Sequence, residues 1–261
     1  DISATADAPV IGLVSEHINA ATIQIPLGIE LTIIAPAPGE TNELIISGLP
    51  EGVTVNGATQ SGNRWIADAA NAENLFLENI TAGASYDMTL QSQSTLDGST
   101  VSGSKLSLSI TVADDLDGSD VILTALDNYS NTLLGGNGND MLVTSNGSDV
   151  LQGGDGEDHF IFAPSSQSNE LDSIVDLSIA NDHIDLSAFS LPTDANELDD
   201  YIDLLESDGN TTLQLFDAPA GNVIQSIELI GMSKDSLYGG TGWTSEEDIL
   251  NKLLTDNTLV V

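Results

Sequence analysis

The stretch Gly135–Phe160 reads GGNGNDMLVTSNGSDVLQGGDGEDHF, and its residue types recur every nine positions. Each nine-residue repeat begins with small or polar residues, mostly glycine. It has an aspartate at its sixth position and a large apolar residue at its eighth. Glycine adopts positive φ angles without a steric penalty, so each nine-residue repeat is predicted to form a tight turn followed by a short strand. The in-phase residues are Asp140, Asp149 and Asp158 in sixth place, Leu142, Leu151 and Phe160 in eighth place, and Asn131 with Leu133 in a fainter preceding row.

This period resembles the nonapeptide GGxGxDxUx of RTX proteins, in which U is a large apolar residue. The resemblance implies a parallel β-roll whose coils each contain two nonapeptides, so that turns two repeats apart stack on one edge. It implies one calcium ion between the Asn131 and Asp149 turns, where Asn131 and Thr144-Ser145 depart from the pattern, and another between the Asp140 and Asp158 turns. The implied ligands, through side chains or glycine carbonyls, are Asn131, Gly136, Gly138, Asp140, Gly147, Asp149, Gly154, Gly156 and Asp158.

Electrostatics indicates why such a stack would hold a cation. Coils stack at roughly 4.8 Å, and two carboxylates at about 5 Å repel by roughly 1 kcal/mol in water and by several times that near a protein surface. Calcium accepts six to eight oxygen ligands and suits carboxylates together with backbone carbonyls. We therefore expect Ca²⁺ as the cofactor, and the alternative is a flexible linker of glycine and aspartate.

The composition of the 261-residue chain agrees with a cation as its partner. It has 41 Asp or Glu residues against four Lys or Arg residues, and a formal net charge of -37. Such a chain would be repelled by nucleic acid and by anionic membranes, so we expect neither as a partner and no insertion into a membrane. There is no cysteine, no run long enough to span a bilayer, and no N-terminal signal peptide pattern in DISATADAPV.

The first 113 residues contain short apolar runs that predict an antiparallel β-sandwich of the immunoglobulin type. In SKLSLSITV, which ends at Val112, apolar residues alternate with Ser and Thr, so one face is expected to be buried and the other wet. The motifs ADAPV (6–10), ELIISGLPEGVTV (43–55), RWIAD (64–68) and SITVADDLDGSD (109–120) resemble the immunoglobulin-like or cadherin-like repeats of giant bacterial adhesins. That resemblance implies calcium ligands at Asp-rich junctions, here Asp7, Asp115 and Asp117, and the alternative is that these are solvated linker residues.

The segment DSIVDLSIANDHIDLSAF, from Asp172 to Phe189, resembles the one that caps the β-roll after the last RTX repeat. Asp172 is a further implied calcium ligand, and Asp176, Asp182 and Asp185 are weaker candidates for the same role. These aspartates are equally interpreted as residues of turns and strand ends.

The remaining residues, 190–261, resemble the C-terminal target region of adhesins that leave the cell by type I secretion. SDGNTTLQLFD predicts a hairpin strand after a turn, and TSEEDILNKLL predicts a helix that opens with a capping box. In the family an amphipathic helix and an apolar tail form an uncleaved secretion signal, although such a helix could also pack on its own domain. The implied signal residues are Ile249, Leu250, Leu253, Leu254, Leu259, Val260 and Val261.

No enzyme is expected from this chain. The motifs H-E-x-x-H and G-x-S-x-G are absent, the three histidines are scattered, and the carboxylates stand in calcium-like contexts. His159 follows a repeat aspartate and is expected to occupy a solvent-facing strand position.

Together these patterns predict an all-β fold: an immunoglobulin-like sandwich over residues 1–113, a calcium-bound roll with its cap over 114–189, and a β-rich secretion region with a short helix over 190–261. The function that they favour is the C-terminal part of a secreted RTX adhesin at the bacterial cell surface. It would fold on external calcium, use the type I secretion machinery, and meet a host or surface ligand through upstream domains. The rival functions are a module that binds a sugar or peptide through its own sandwich, and the tail of a secreted enzyme.

Overall fold

A computed structural model describes residues 10–13, 24–26, 29–32, 37–81, 83–112, 120–127, 129–164 and 170–261. By its contacts the chain forms two compact units. The first contains residues 1–81 and 85–110, and the second contains residues 82–84 and 111–261.

The first unit consists of antiparallel sheets. One sheet has the strand order β10-β9-β4-β7-β6, another has the order β2-β8-β5, and β1 pairs with β3. The strands are β1 (Val10–Leu13), β2 (Gln24–Pro26), β3 (Ile29–Thr32), β4 (Thr41–Ser47), β5 (Thr54–Asn56), β6 (Thr59–Ser61), β7 (Arg64–Asp68), β8 (Phe76–Glu78), β9 (Ser85–Leu96) and β10 (Ser99–Val112), with a 3₁₀ helix at Ala69–Asn74 between β7 and β8.

Alternating apolar residues build the interior of the first unit. Leu44 and Ile46 of β4 are both buried, and Ile46 pairs with Leu90 of the neighbouring strand β9. The prediction that the Ser and Thr face of β10 is exposed to solvent is partly wrong, because Ser109 on this face is buried. Its hydroxyl donates a 2.6 Å hydrogen bond to the carboxylate of Asp87, which satisfies the polar group there.

The second unit is a parallel β-roll with a β-rich extension. One of its sheets is parallel throughout, in the order β11-β13-β15-β17-β21, and the other runs β12-β14-β16-β20 in parallel and continues antiparallel through β19 and β18. The strands are β11 (Ile122–Thr124), β12 (Ser130–Asn137), β13 (Met141–Val143), β14 (Val150–Asp155), β15 (His159–Ile161), β16 (Leu171–Ile174), β17 (His183–Asp185), β18 (Ile202–Ser207), β19 (Asn210–Phe216), β20 (Val223–Leu229) and β21 (Leu259–Val260).

Strands two repeats apart pair in register, so two nonapeptides form one coil as predicted. In one sheet Leu142 pairs with Phe160 and Phe160 pairs with Ile184. In the other sheet Leu133 pairs with Leu151. The eighth residue of each nonapeptide therefore stacks on its counterpart in the next coil, and these side chains form one buried core cluster.

Residues 190–261 extend this roll. Strand β20 adds to one sheet beside β16, and β21 adds to the other beside β17. The predicted hairpin strand follows a turn at Asp208 and Gly209, whose φ angles of 52° and 85° are both positive, as in a two-residue type I′ turn. Leu259 therefore pairs with Ile184, a residue on the other side of the predicted boundary between residues 189 and 190. The boundary itself stays a prediction.

The predicted C-terminal helix is confirmed. The sequence allows a capping box of Thr244 with Glu247 or of Ser245 with Asp248, and the structure contains the second. Ile249, Leu250 and Leu253 lie on one face of this helix and pack into the core of the roll. The helices are α1 (Ala195–Leu198), α2 (Lys234–Tyr238) and α3 (Glu246–Thr255), with a 3₁₀ turn at Ser187–Phe189.

The predicted fold class, all-β with a roll and a short C-terminal helix, is confirmed. Within the described residues, the helices lack the length and apolar character that crossing a membrane would require.

Leu142→Ala tests how much the stacked core stabilises the roll. Leu142 is 0% exposed, and its truncation should lower the free energy of unfolding by about 2–5 kcal/mol because it removes apolar contact and leaves a cavity. Leu205→Ala is the matched control, since Leu205 is 47% exposed and its truncation should change that free energy by less than about 0.5 kcal/mol. Urea unfolding followed by far-UV circular dichroism measures both, and equal losses would contradict the stacked core.

Candidate metal centre

The turns of the roll stack along two edges. The Asp140 edge contains the turns 135–140 and 153–158 and, in the next coil, residues 175–182. The Asn131 edge contains Asn131, the turn 144–149 and Asp172. Each turn ends on a buried polar side chain just before a strand, so the nonapeptide period itself brings the predicted ligands together.

One oxygen of each repeat aspartate ties its coil to the coil before it. The Oδ1 atom of Asp158 accepts a 2.9 Å hydrogen bond from the backbone N–H of Asp140. On the other edge, the Oδ1 atom of Asp149 accepts one of 2.9 Å from the N–H of Asn131, and Asp172 accepts one of 2.8 Å from the N–H of Asp149. The aspartates therefore hold the coils in register even without a metal, a structural role that the period did not predict.

The second oxygens on the Asp140 edge have no such donor. Asp140 and Asp158 are each 0% exposed, and within the described part of the chain their Oδ2 atoms have no hydrogen-bond partner. A buried carboxylate oxygen without a donor is strongly unfavourable, and native proteins rarely contain one unless an ion or water satisfies it. These two oxygens belong to stacked turns, which is the arrangement predicted for a metal between them.

Glycine is required around these oxygens because a side chain would occupy their space. A Cβ atom added at Gly135 would lie 2.3 Å from Asp140 Oδ2 and 2.6 Å from the carbonyl oxygen of Gly153. A Cβ atom added at Gly153 would lie 2.2 Å from Asp158 Oδ2. Carboxylate and carbonyl oxygens thus converge beside the glycine backbone, which is the donor chemistry of a hard cation such as Ca²⁺.

The other predicted carbonyl ligands on this edge also face the neighbouring turn. Gly136 pairs in register with Gly154, and a Cβ atom added at Gly154 would lie 1.8 Å from the carbonyl oxygen of Gly136. A Cβ atom added at Gly156 would lie 1.7 Å from the carbonyl oxygen of Gly138. Both Gly154 and Gly156 have positive φ angles, so glycine is needed there for its conformation as well as for its size.

The Asn131 edge is satisfied by protein donors. The side-chain amide of Asn131 donates a 2.7 Å hydrogen bond to Asp149 Oδ1, and the backbone N–H of Ser145 donates one of 3.0 Å to Asp149 Oδ2. Gly147 packs against the preceding turn, since a Cβ atom there would lie 2.0 Å from the carbonyl oxygen of Tyr129. An amide thus stands where the RTX pattern implies a cation, which makes this the weaker of the two predicted ion sites.

Asp172 is also satisfied by protein groups. Its Oδ2 atom accepts a 2.9 Å hydrogen bond from the side chain of Gln225, which comes from strand β20. Nothing in the sequence near Asp172 pointed to Gln225. Asp176 accepts from the N–H groups of Gly153 and Gly154, and Asp182 accepts from the N–H of Asp158, so these two residues brace the Asp140 edge.

The predicted junction ligands Asp7, Asp115 and Asp117 lie outside the described residues. Asp120, which ends the same junction motif, is described. Its carboxylate accepts a 2.9 Å hydrogen bond from the backbone N–H of Asn139, so it contacts the turn that ends at Asp140.

Burial raises the pKa values of the carboxyl groups along both edges. Desolvation is the main cause, and it raises the pKa of Asp149 to about 6, of Asp158 to about 7 and of Asp172 to about 8. Burial also raises the pKa values of Asp140 and Asp182. Neighbouring carboxylates add to the effect, as Asp149 does for Asp172. Without a metal, the folded chain therefore retains protons on these carboxyl groups to a higher pH than the unfolded chain does.

Without calcium, the roll should become more stable as the pH falls from about 8 towards about 4. The pKa values of Asp149, Asp158 and Asp172 are about 6, 7 and 8 in the folded chain, against the ordinary aspartate pKa of 3.8. The folded state therefore binds more protons in this window, and the resulting stability is lost as the pH rises through those values. Melting temperatures measured in a calcium chelator at about pH 5 and about pH 8 check this, and a higher value at pH 8 would contradict it.

The second unit is similar to part of a known protein family. The family model described as "Peptidase M10 serralysin C terminal" matches residues 93–238. A comparison with curated protein sequences finds no match. Among solved structures, the solution structure of the AlgE6R3 subunit from the Azotobacter vinelandii mannuronan C5-epimerase is 28% identical over 45% of this chain and 76% of that chain, with a TM-score of 0.33.

The family match covers more than half of the chain, including the stacked turns of both edges and strands β16 to β20. The roll and its C-terminal extension thus lie largely within one family region. The chain belongs to the peptidase M10 serralysin C-terminal family.

Proposed function

We propose that this chain is a calcium-binding region of a secreted protein, and that its β-roll folds fully when calcium is present. The observation that carries the proposal is the pair of buried oxygens, Asp140 Oδ2 and Asp158 Oδ2, which lack protein donors within the described residues. Calcium, when bound, would supply the positive charge and the coordination that these oxygens need. The carbonyls of Gly136, Gly138 and Gly153 are the further oxygens that would help to hold it.

The charge of the chain would make folding depend on calcium concentration. With a formal net charge of -37, the chain repels itself when no counter-ion is bound. A ligand at one hundred times its dissociation constant stabilises the folded state by about 2.7 kcal/mol per site. That is a large share of the stability of a typical domain. A low-calcium cytosol would then favour the open chain, and a calcium-rich exterior would favour the roll.

The proposed secretion signal is compatible with export before folding. Ile249, Leu250, Leu253 and Leu259 are buried in the core of the roll. Leu254, Val260 and Val261 are partly buried. A transporter could contact these apolar side chains only while the chain is unfolded, so recognition by the type I secretion machinery would precede folding outside the cell.

The larger protein is proposed to be a bacterial adhesin at the cell surface, which would meet a host or surface ligand through upstream domains. The sequence motifs of the first 113 residues support this, because they resemble those of the repeats found in tandem in adhesins. A second candidate is the C-terminal part of a secreted enzyme, which the serralysin family match favours. The coding sequence upstream of Asp1 distinguishes them: tandem sandwich repeats support the adhesin, and a catalytic motif supports the enzyme.

Asp158→Asn and Asp140→Asn test the calcium site. Each change removes a negative charge from the buried pair, so calcium affinity measured by isothermal titration calorimetry should fall at least tenfold, which is about 1.4 kcal/mol. Asp208→Asn is the matched control, because Asp208 lies exposed in the hairpin turn between β18 and β19. Wild-type calcium affinity in both edge variants would contradict the site.

Deleting residues 244–261 tests the secretion signal. Export through a type I secretion system should be lost, and the protein should accumulate inside the cell. Leu142→Ala is the control, because it weakens the same roll without changing the C-terminal segment. Normal export of the deletion variant would contradict the signal, and equal loss of export in both proteins would assign the defect to instability.

A further inference from the structure

A second cluster of metal-binding side chains lies on strands β15 and β17. His159 and His183 pair in register on these neighbouring parallel strands, and their ring centroids are 4.4 Å apart. Glu157 stands two residues before His159, in the turn that leads into β15. One potential ligand atom from each of the three side chains lies within 4.8 Å of the others. His159 is expected from the sequence to face solvent, but it is partly buried and packs against His183.

The hydrogen bond at His183 determines which of its nitrogens is available. Its Nδ1 atom lies 2.5 Å from the backbone carbonyl oxygen of Asn257. A carbonyl oxygen can only accept, so Nδ1 must carry the hydrogen, and in a neutral ring Nε2 then has a free lone pair. A histidine whose Nδ1–H donates to a backbone carbonyl is oriented in the way that metal-binding histidines usually are.

The free nitrogen of His183 faces another acceptor. Its Nε2 atom lies 3.2 Å from Oε1 of Glu157. An imidazole lone pair and a carboxylate oxygen at this distance repel each other unless a proton or a metal cation lies between them. A zinc ion with bonds of about 2.0–2.2 Å to such ligands sets neighbouring tetrahedral ligands roughly 3.4 Å apart, which is close to the observed separation.

The different exposures of the three side chains also suit a metal site. His183 is only 9% exposed and is held by Asn257, so it provides a fixed point. The side chain of Glu157 is 61% exposed and can adjust, and His159 is partly buried beside it. The ligand atoms lie within 4.8 Å of one another, so these two side chains would need to bring them to the tetrahedral spacing of roughly 3.4 Å.

We propose that Glu157, His159 and His183 bind a divalent transition metal of the Zn²⁺ type, separately from the oxygen-lined calcium site. Imidazole nitrogens favour zinc, copper and nickel, whereas calcium prefers oxygen ligands only, so the two sites select different ions. Three protein ligands leave a fourth position for water or for a group from another molecule. The metal would join two coils of the roll, and through Asn257 it would brace the segment between α3 and β21.

Zinc titration of the full chain tests this, with calcium kept at saturation so that the carboxylates of the roll are occupied. Calorimetry should show one zinc ion bound. His159→Ala, His183→Ala and Glu157→Gln should each weaken zinc binding at least tenfold, since even the residues that support metal ligands contribute about 10–100-fold. His17→Ala is the matched control and should leave zinc affinity unchanged. Calcium titrations and far-UV circular dichroism of each variant separate a lost zinc site from a lost fold or a lost calcium site.

Nuclear magnetic resonance of the wild-type protein gives a readout that needs no variant. The chain has three histidines, so their ring signals can be resolved individually. Two of them should shift on zinc addition, and His183 should show its hydrogen on Nδ1. Zinc binding that the three variants leave unchanged would overturn the proposal, because the carboxylates alone would then explain it. An absence of zinc binding would also overturn it, and would leave His183 and Glu157 as an ion pair only.

Discussion

Buried carboxylates between the coils are the constraint on which the second unit depends. Asp140, Asp149 and Asp158 are each 0% exposed, and each uses one oxygen to accept a backbone N–H from the preceding coil. These hydrogen bonds hold neighbouring coils in register and bring the apolar eighth residues into contact. They leave the charge and the second oxygen in surroundings where an unpaired acceptor is costly. The stability of the folded roll therefore depends on whether a proton, an amide donor or a cation satisfies the second carboxylate oxygen.

The two edges of the roll meet this constraint in different ways. On the Asn131 edge, amide donors from Asn131 and Gln225 and the N–H of Ser145 satisfy the carboxylates from within the chain. On the Asp140 edge, the glycine-rich turns place carbonyl oxygens beside two carboxylate oxygens that have no donor among the residues that the structure describes. The first edge has protein donors in place of an ion, whereas the second is the proposed calcium site. A roll of this kind would keep part of its structure at low calcium and respond to the ion mainly at one edge.

The C-terminal segment links folding to the proposed export. Its apolar residues complete the core of the roll, and β21 extends the sheet that contains His159 and His183. Since most of these side chains are buried in the folded roll, the segment would serve first as the proposed signal and then as part of the structure. The proposed zinc site lies where this segment meets the coils, so a metal there would stabilise the contact between Asn257 and His183.

The nine-residue period by itself determined the turns, the short strands, the inward position of Leu142, Leu151 and Phe160, and the stacking of Asp140 on Asp158. Those features follow from local rules, because glycine permits the turn and strand geometry sets which side chains face inward. Only the tertiary structure decided which carboxylate oxygens have donors. Gln225 reaches Asp172 from 53 residues away, and the carbonyl of Asn257 meets His183 from 74 residues away. Such pairs depend on the register of strands that are distant in the chain, which no local pattern encodes.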